Sequence, residues 1–525
     1  MDSFAQFALG GGVFTLTNFG RLVALLITYH VVRALYNISP LHPLSHIPGP
    51  KLAAATWWYE GWFDLILGGR YTHEIRRMHE VYGPVVRINP EELHCNDASF
   101  VNEIYAGKGR KRNKQRHFLN SMAHPIYLSG FGTEEHEHHR LRRSAVNKFF
   151  SRAQIWRLES GIKSLVDQLC DKMIRLGNKD KLPINVSVAY SCFTSDVISG
   201  YCFGEPFGFV AQESWEPNFK ESLNSFASMT FVFRFFPFLK KVAELAPFVV
   251  SLLFKESAPL MVEIGERMPS HIRKVREDFN NGIVKDAPSI FSSILGSSLP
   301  ESEKTDTRLT GEGILMMSAG TETTSWTLTV TTYYLMQQPE QLARLRKELE
   351  DVDAGNMKWA SLEKLPYLTA VINEGLRLAY GLPSRLPRIA PEETLVYRGK
   401  FHGNEVEYVL PPGTPVGMSN VINHHNEEAF PDSNKFRPER WLDLEDTERR
   451  FMDMCLTSFS KGSRQCLAMN LAYCNLYLAV TALALRILPR AKLHESTNIN
   501  NVTYDHDAII PVPIDHDGGV KLVLS

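Results

Sequence analysis

The sequence predicts a mainly α-helical protein with small β-sheets (α+β), folded as one large domain behind an N-terminal anchor. Three observations support this. Residues 467–488 and 313–336 are long, mostly apolar runs that read as buried helices rather than strands. Short strand patterns lie scattered between helical stretches, at 85–88, 92–95, 394–397 and 407–410. No Ser/Gly/Pro-rich linker and no internal repeat divides the 525 residues.

The chain opens with an apolar run, LVALLITYHVVRALY at 22–36, extended upstream by 13–19. A membrane span needs about 20 apolar residues. The run reaches that length if Arg21 or Arg33 lies near an interface, where a long side chain snorkels to water. A cleaved signal peptide wants positive charge before its apolar core, and the first twenty residues contain no Lys or Arg. Arg21, Arg33 and Lys51 bias the downstream side toward the cytoplasm. An uncleaved signal anchor is expected, over residues 1–45, with the domain at 46–525. The alternative is an amphipathic helix lying on the membrane or packed on the domain. Asn37-Ile38-Ser39 is a glycosylation sequon that this topology leaves unused. Pro48-Gly49-Pro50 cannot continue a helix and makes a stiff exit into the domain.

A formal net charge of −1 argues against a nucleic-acid partner. Seven cysteines, odd in number and without a Cys-x-x-Cys pair, suggest reduced thiols rather than a disulfide framework. The basic run 108–116 reads by default as a solvated face. His136, His138 and His139 lack the His-Glu-x-x-His spacing of a metal site. Residues 155–300 are helical by pattern and poor in motifs. Within them, 231–254 is rich in Phe and Val and reads as core.

The chemistry concentrates in three places. The first is Phe459-Ser460-Lys461-Gly462-Ser463-Arg464-Gln465-Cys466-Leu467-Ala468. It places one cysteine where a loop feeds a long apolar helix. A helix N-terminus favours thiolate over thiol, and a thiolate is a ligand for a soft or borderline metal. Gly462 permits a tight turn and close approach to a flat ligand. Arg464 adds a cation, and Phe459 screens the sulfur from water. The second is Ala319-Gly320-Thr321-Glu322-Thr323-Thr324, which interrupts the apolar run 313–336. An acid and several hydroxyls inside a buried helix cost free energy unless partnered or functional. Gly320 leaves room for a flat cofactor, and Thr323 is placed to bond the carbonyl one turn back. The third is Glu374-Gly375-Leu376-Arg377, upstream of Phe436-Arg437-Pro438-Glu439-Arg440-Trp441. Glu374 and Arg377 share a helix face, and Arg440 completes an ion triad.

Phe-x-x-Gly-x-Arg-x-Cys-x-small resembles the haem-binding signature of the cytochrome P-450 family, the haem-thiolate monooxygenases. Ala468 stands where the family usually has Gly. Gly320, Glu322 and Thr323 resemble its Gly-x-acid-Thr motif, Glu374 and Arg377 its Glu-x-x-Arg, and 438–441 its Pro-Glu-Arg-Phe with Trp441 in the Phe position. His139 and Arg143 occupy the places of a Trp and an Arg that reach the haem propionates.

The resemblance covers nearly the whole chain and implies the P-450 fold. It implies a b-type haem with Cys466 as axial ligand to iron, and Arg143, His139 and Arg388 at the propionates, with Arg385 as runner-up for the last. It implies proton delivery by Glu322 and Thr323, and a structural triad that holds the cysteine loop. It offers a second reading for 231–254, a cap over the pocket that touches the membrane, and makes 507–510 a pocket-lining turn. No nicotinamide or flavin motif is present, so electrons come from an NADPH-dependent reductase, for which Lys461 and Arg142 are candidate contacts. The implied enzyme inserts one atom of dioxygen into an apolar small molecule. The stretches at 42–60 and 82–95 resemble fungal microsomal members of secondary metabolism, which points to a terpenoid-like scaffold. The implied protein is a monomer in the endoplasmic reticulum membrane with its domain in the cytosol. Two alternatives are a reductase-independent haem-thiolate isomerase or dehydratase and a non-catalytic haem-binding module; Glu322-Thr323 argues against both.

Overall fold

The structure, a computed structural model, describes residues 16–107, 109–180, 183–283, 289–516 and 518–524. The first fifteen residues, part of the expected anchor, and Lys108 lie outside them.

Helix α1 (Leu16–Ile38) is apolar and long enough to cross a membrane, and its most apolar stretch contains no buried residue. Its far end is tied down: Asn37 donates to the Ala55 carbonyl at 3.0 Å, and Arg87 donates to the Asn37 carbonyl at 2.9 Å. The sequon asparagine is therefore buried. Gly49 packs on the Arg87 backbone, where a Cβ would strike the carbonyl.

A five-stranded sheet sits at one side of the helical body. Its strands are β1 (Val85–Arg87), β2 (Leu93–Cys95), β3 (Asn113–Lys114), β4 (Arg388–Ile389) and β5 (Pro415–Gly417), in the order β1-β2-β5-β4-β3. The antiparallel pairing of β3 with β4 sets Lys114 opposite Arg388. The expected strands at 394–397 and 407–410 belong to a longer hairpin, Leu395–Phe401 with Asn404–Leu410. A second hairpin, β6 (Tyr504–Ala508) and β7 (Ile510–Pro513), turns at Ile509 with φ 68°.

The basic run is a solvated face only in part, at Arg116 and, half-buried, at Arg110 and Lys111. Arg112 and Lys114 are buried: Arg112 donates to the Glu103 and Ile104 carbonyls, and Lys114 donates to the Phe131 carbonyl at 2.6 Å. Main-chain acceptors brought in by the fold replace the water that a charge run ordinarily keeps.

The helices that position the site are α2 (His136–Val146), α3 (Val186–Phe203), α4 (Lys220–Phe235), α5 (Asp306–Gln337), α6 (Pro366–Ala379) and α7 (Met469–Arg486). Thr305 caps α5, its side chain accepting from the Arg308 amide. The central α5 packs against α3, α6 and α7. Close approach is built into two of these contacts. A Cβ on Gly375 would meet the Thr331 hydroxyl, and one on Gly320 would meet the Ile198 side chain at 2.9 Å. The apolar α7 is core, with 78% of its most apolar stretch buried. Residues 231–254 divide between the two readings. Phe231, Phe233 and Val250 are buried, whereas Phe238, Leu245, Leu252 and Leu253 are exposed.

Candidate active site

The cysteine loop is shaped by its neighbours before any ligand is considered. Gly462 adopts φ 72°, and a Cβ there would collide with the Tyr105 and Ala106 carbonyl oxygens. The Ser463 amide donates to the Ala106 carbonyl at 3.1 Å, and the Cys466 amide to the Phe459 carbonyl at 2.8 Å. Gly462 thus serves a turn against the 105–106 backbone; it does not line the cavity, which corrects the expectation of approach to a flat ligand. Arg464 donates to the carbonyls of Arg112, Thr133 and Glu134 at 2.6–3.0 Å, so it clamps the loop to the segments that carry Lys114 and α2. Ala468, in the usual glycine position, has φ −95°, which any residue adopts.

Cys466 is exposed, whereas the other six cysteines are buried. What it faces is an interior cavity of about 310 Å³, open to solvent at its mouth. Burial pushes the thiol above its ordinary value, while the Ala468 amide and Arg143 act to lower it. Phe459 lines the same cavity and packs on Tyr473, with ring centroids 5.2 Å apart. Its walls are largely apolar, with the thiol, the α5 hydroxyl of Thr323 and a group of cations set among them.

Helix α5 forms another wall through Leu315, Ala319 and Thr323. The Thr323 hydroxyl donates to the Ala319 carbonyl at 2.7 Å, and Thr327 repeats the pattern onto Thr323 at 2.8 Å. The helix continues unbroken from Asp306 to Gln337. Glu322 is buried and lies off the cavity, and its Oε2 has no hydrogen-bond partner among the described residues. Gly320 borders the cavity, yet the space where its Cβ would sit is held by Ile198. The glycine serves helix packing rather than cofactor approach.

Arg142 and Arg308 line the cavity but are paired with Glu303 and Glu312. Four further cations and one imidazole converge there: Lys114, Arg143, Arg388, Arg464 and His139. Burial lowers the pKa of every one, and the charges lower one another further. Arg388 and Arg464 act on Lys114, while Arg464, Lys114, Arg143 and His136 act on His139. His139 falls to about 2 and is neutral. The neutral hydrogen-bond partners are mostly backbone: Arg388 donates to the Leu386 and Pro387 carbonyls, and Arg143 to the Gln465 carbonyl at 2.7 Å and to Asn147. Among the described residues no carboxylate pairs with any of these cations. Such a cluster suits an anion brought by a ligand. Arg385, the runner-up for this place, is elsewhere, bonded to Glu60 at 2.6 Å and Glu92 at 2.8 Å. Lys114 had no distinguishing signal within its basic run; only the β3–β4 register reveals it.

The triad assembles as expected. Glu374 accepts from Arg377 at 2.7 and 2.9 Å and from Arg440 at 3.1 Å, with further donation from the Arg437 amide and Trp441 Nε1. Arg377 also binds the carbonyls of His424, Ser433 and Lys435, the meander leading to the cysteine loop. Trp441 thus contributes an N–H that the Phe of the usual motif lacks. Arg142 is buried and paired with Glu303 at 2.7 Å, so it is not free to receive a partner's acidic face. Lys461 donates to the Asp453 carbonyl at 2.6 Å.

Residues 48–487 match the cytochrome P450 family. The chain belongs to that family. Three fungal relatives resemble this P450 along most of their length. The cytochrome P450 monooxygenase ppzE of Metarhizium majus is 40% identical over 84% of this chain and 95% of its own length. Conidiogenone synthase PchP450 of Penicillium rubens is 38% identical over 92% and 94%. N-acetyltryptophan 6-hydroxylase ivoC of Emericella nidulans is 35% identical over 98% of both. This P450 is a monooxygenase, and the family's cofactor is a haem with a cysteine thiolate as axial ligand. The residues present fit that group: a thiol facing a mostly apolar cavity, and four cations there that pair with no carboxylate among the described residues, placed to receive the propionates.

Proposed function

We propose that Cys466 is the axial ligand of a b-type haem, and that Lys114, Arg143, Arg388 and His139 hold its propionates. Arg464 adds charge to the cradle and fixes the loop. The observation that carries this reading is the Cys466 thiol in one cavity with the unpaired cationic cradle and Thr323. When bound, the haem supplies the oxidation chemistry, which a thiolate ligand favours by donating electron density.

The chain supplies binding, exclusion of water and protons. Phe459, Leu467 and Ala468 cover the sulfur side. Thr323 borders the same cavity from α5, its hydroxyl bonded to the Ala319 carbonyl at rest, with Glu322 one residue back as the acid that replenishes the proton. Glu322 lies off the cavity, so it acts through a side-chain rotation or a bridging water. Thr323→Ala is expected to waste reducing equivalents as hydrogen peroxide with little product; unchanged coupling would contradict the role.

The cavity walls are largely aliphatic and aromatic, which suits an apolar scaffold undergoing hydroxylation or epoxidation. A secondary metabolite, terpenoid-like in body, is the substrate class we favour. One relative's name specifies conidiogenone and another's N-acetyltryptophan. Electrons come from a membrane-bound NADPH-dependent reductase. Residues 1–45 anchor the monomer in the endoplasmic reticulum membrane, and 46–525 form the cytosolic domain. Incubating the reductase-coupled enzyme with terpenoid and N-acylated aromatic amino-acid panels tests the substrate class. Turnover of the second panel alone would overturn the terpenoid reading.

A further inference from the structure

Behind the cavity, buried carboxylates outnumber buried guanidinium groups. Glu60, Asp64, Glu92 and Asp507 share one region with Arg234 and Arg385, and His117 borders it. Glu60 accepts from Arg385 at 2.6 Å and His117 at 3.1 Å, and Asn89 bridges Glu60 and Glu92 at 3.0 Å. Asp507 accepts from Thr72 at 2.6 Å and Tyr504 at 2.8 Å. These groups are well bonded. The contact between Asp64 and Arg234 is looser: Arg234 Nη1 reaches Asp64 at 3.2 Å and Glu60 at 3.6 Å, its guanidinium lies over the Phe118 and Phe231 rings, and its Nε and Nη2 are buried with no hydrogen-bond partner among the described residues.

Each member belongs to an element that walls the cavity or braces one. Arg234 is on α4, whose Leu223, Phe226 and Ala227 roof the cavity. Asp507 precedes the hairpin turn that contributes Ala508, Ile509 and Ile510, and Arg385 follows Leu382 on a third wall. Asp64 lies in the π-helical turn Trp62–Ile66 of the N-terminal segment. That segment meets the roof closely, since a Cβ on Gly61 would touch Phe235 at 3.2 Å and one on Gly69 would touch Phe231 at 3.0 Å.

We propose that Asp64 and Arg234 form a proton-controlled latch that seats the roof helix α4 over the cavity and gates substrate entry. Burial raises the Asp64 carboxyl to about 7; Arg234 and Arg385 oppose this, while Glu60 and Asp507 add to it. Glu92, Tyr71 and Tyr504 complete the ionisable surroundings. Lifting α4 hydrates Asp64 and returns it toward its ordinary 3.8. The seated state therefore binds the proton more tightly. As pH rises from near 4 to near 7, the balance moves toward the lifted state by up to about tenfold per pH unit, then levels off.

The test uses full-length ferric holoprotein in lipid nanodiscs and adamantyl isocyanide, a bulky, apolar, non-titrating iron ligand, with association followed by the Soret shift in a stopped-flow instrument. Wild type should bind faster with each pH increment below 7 and reach a plateau above it. Asp64→Asn, which cannot ionise, should bind slowly with a flat profile, and Asp507→Asn should keep the slope. Arg234→Gln should move the plateau to higher pH, because the guanidinium holds the Asp64 carboxyl down. The red-shifted reduced carbon monoxide band, checked in each variant, separates a lost latch from lost haem ligation. A flat wild-type profile overturns the latch, as does a wild-type slope in Asp64→Asn or a slope lost only in Asp507→Asn.

Discussion

Glu374→Gln is the sharpest structural perturbation available in this P450. The carboxylate accepts five hydrogen bonds, from Arg377 twice, the Arg437 amide, Arg440 and Trp441. Glutamine preserves the shape but removes the charge and turns one acceptor into a donor facing other donors. Two largely buried guanidinium groups then lose their counter-ion. Breaking a buried pair from one side costs about 3–5 kcal/mol. Against a total fold stability of about 5–15 kcal/mol, that is a large share. Urea unfolding followed by both haem absorbance and far-ultraviolet circular dichroism measures it. Burial alone would raise the Glu374 carboxyl, but Arg377 and Arg440 outweigh burial and hold it below its ordinary 4.5. Its stabilisation is therefore complete above pH 4.5 and is lost as pH falls below that value, so wild type and variant should converge in acid. A neutral-pH difference under about 1 kcal/mol would refute the reasoning, because a neutral hydrogen-bonded side chain would then do the same work.

Gly320→Ala should destabilise the protein by about 1–3 kcal/mol through overpacking against Ile198, and Ile198→Ala, which removes the Cγ1 that the new methyl meets, should recover part of that loss in a double-mutant cycle. Thermal unfolding reads both; haem loss without rescue would mean that the glycine serves the cofactor instead. Lys114→Met and Arg388→Leu should each forfeit a charge-assisted bond worth about 1.5–3 kcal/mol. Transfer of haem to apomyoglobin should accelerate by roughly ten- to a hundredfold in each. An unchanged transfer rate in both would remove the propionate cradle.

Position in sequence revealed much of this site, and the exceptions have physical causes. Cys466, Thr323 and the Glu374–Arg377–Arg440 triad were legible because their spacing is local or their motif is long. The glycines were misread because a missing side chain says nothing about what fills its place. Only three-dimensional packing shows that Gly462 faces the 105–106 backbone and Gly320 faces Ile198. Lys114 and Arg142 sit in basic stretches whose composition resembles a wetted surface. Their burial is decided by remote partners, the Phe131 carbonyl and Glu303. The acidic cluster at Glu60, Asp64, Glu92 and Asp507 draws on segments hundreds of residues apart, and no local pattern marks it.

The central claim is that Cys466 is the proximal thiolate. Reducing the holoprotein under carbon monoxide and recording the Soret band tests it directly. A strongly red-shifted band in wild type, lost in Cys466→Ser, is the predicted result. A band at the position typical of histidine ligation, or an unchanged band in Cys466→Ser, would contradict it.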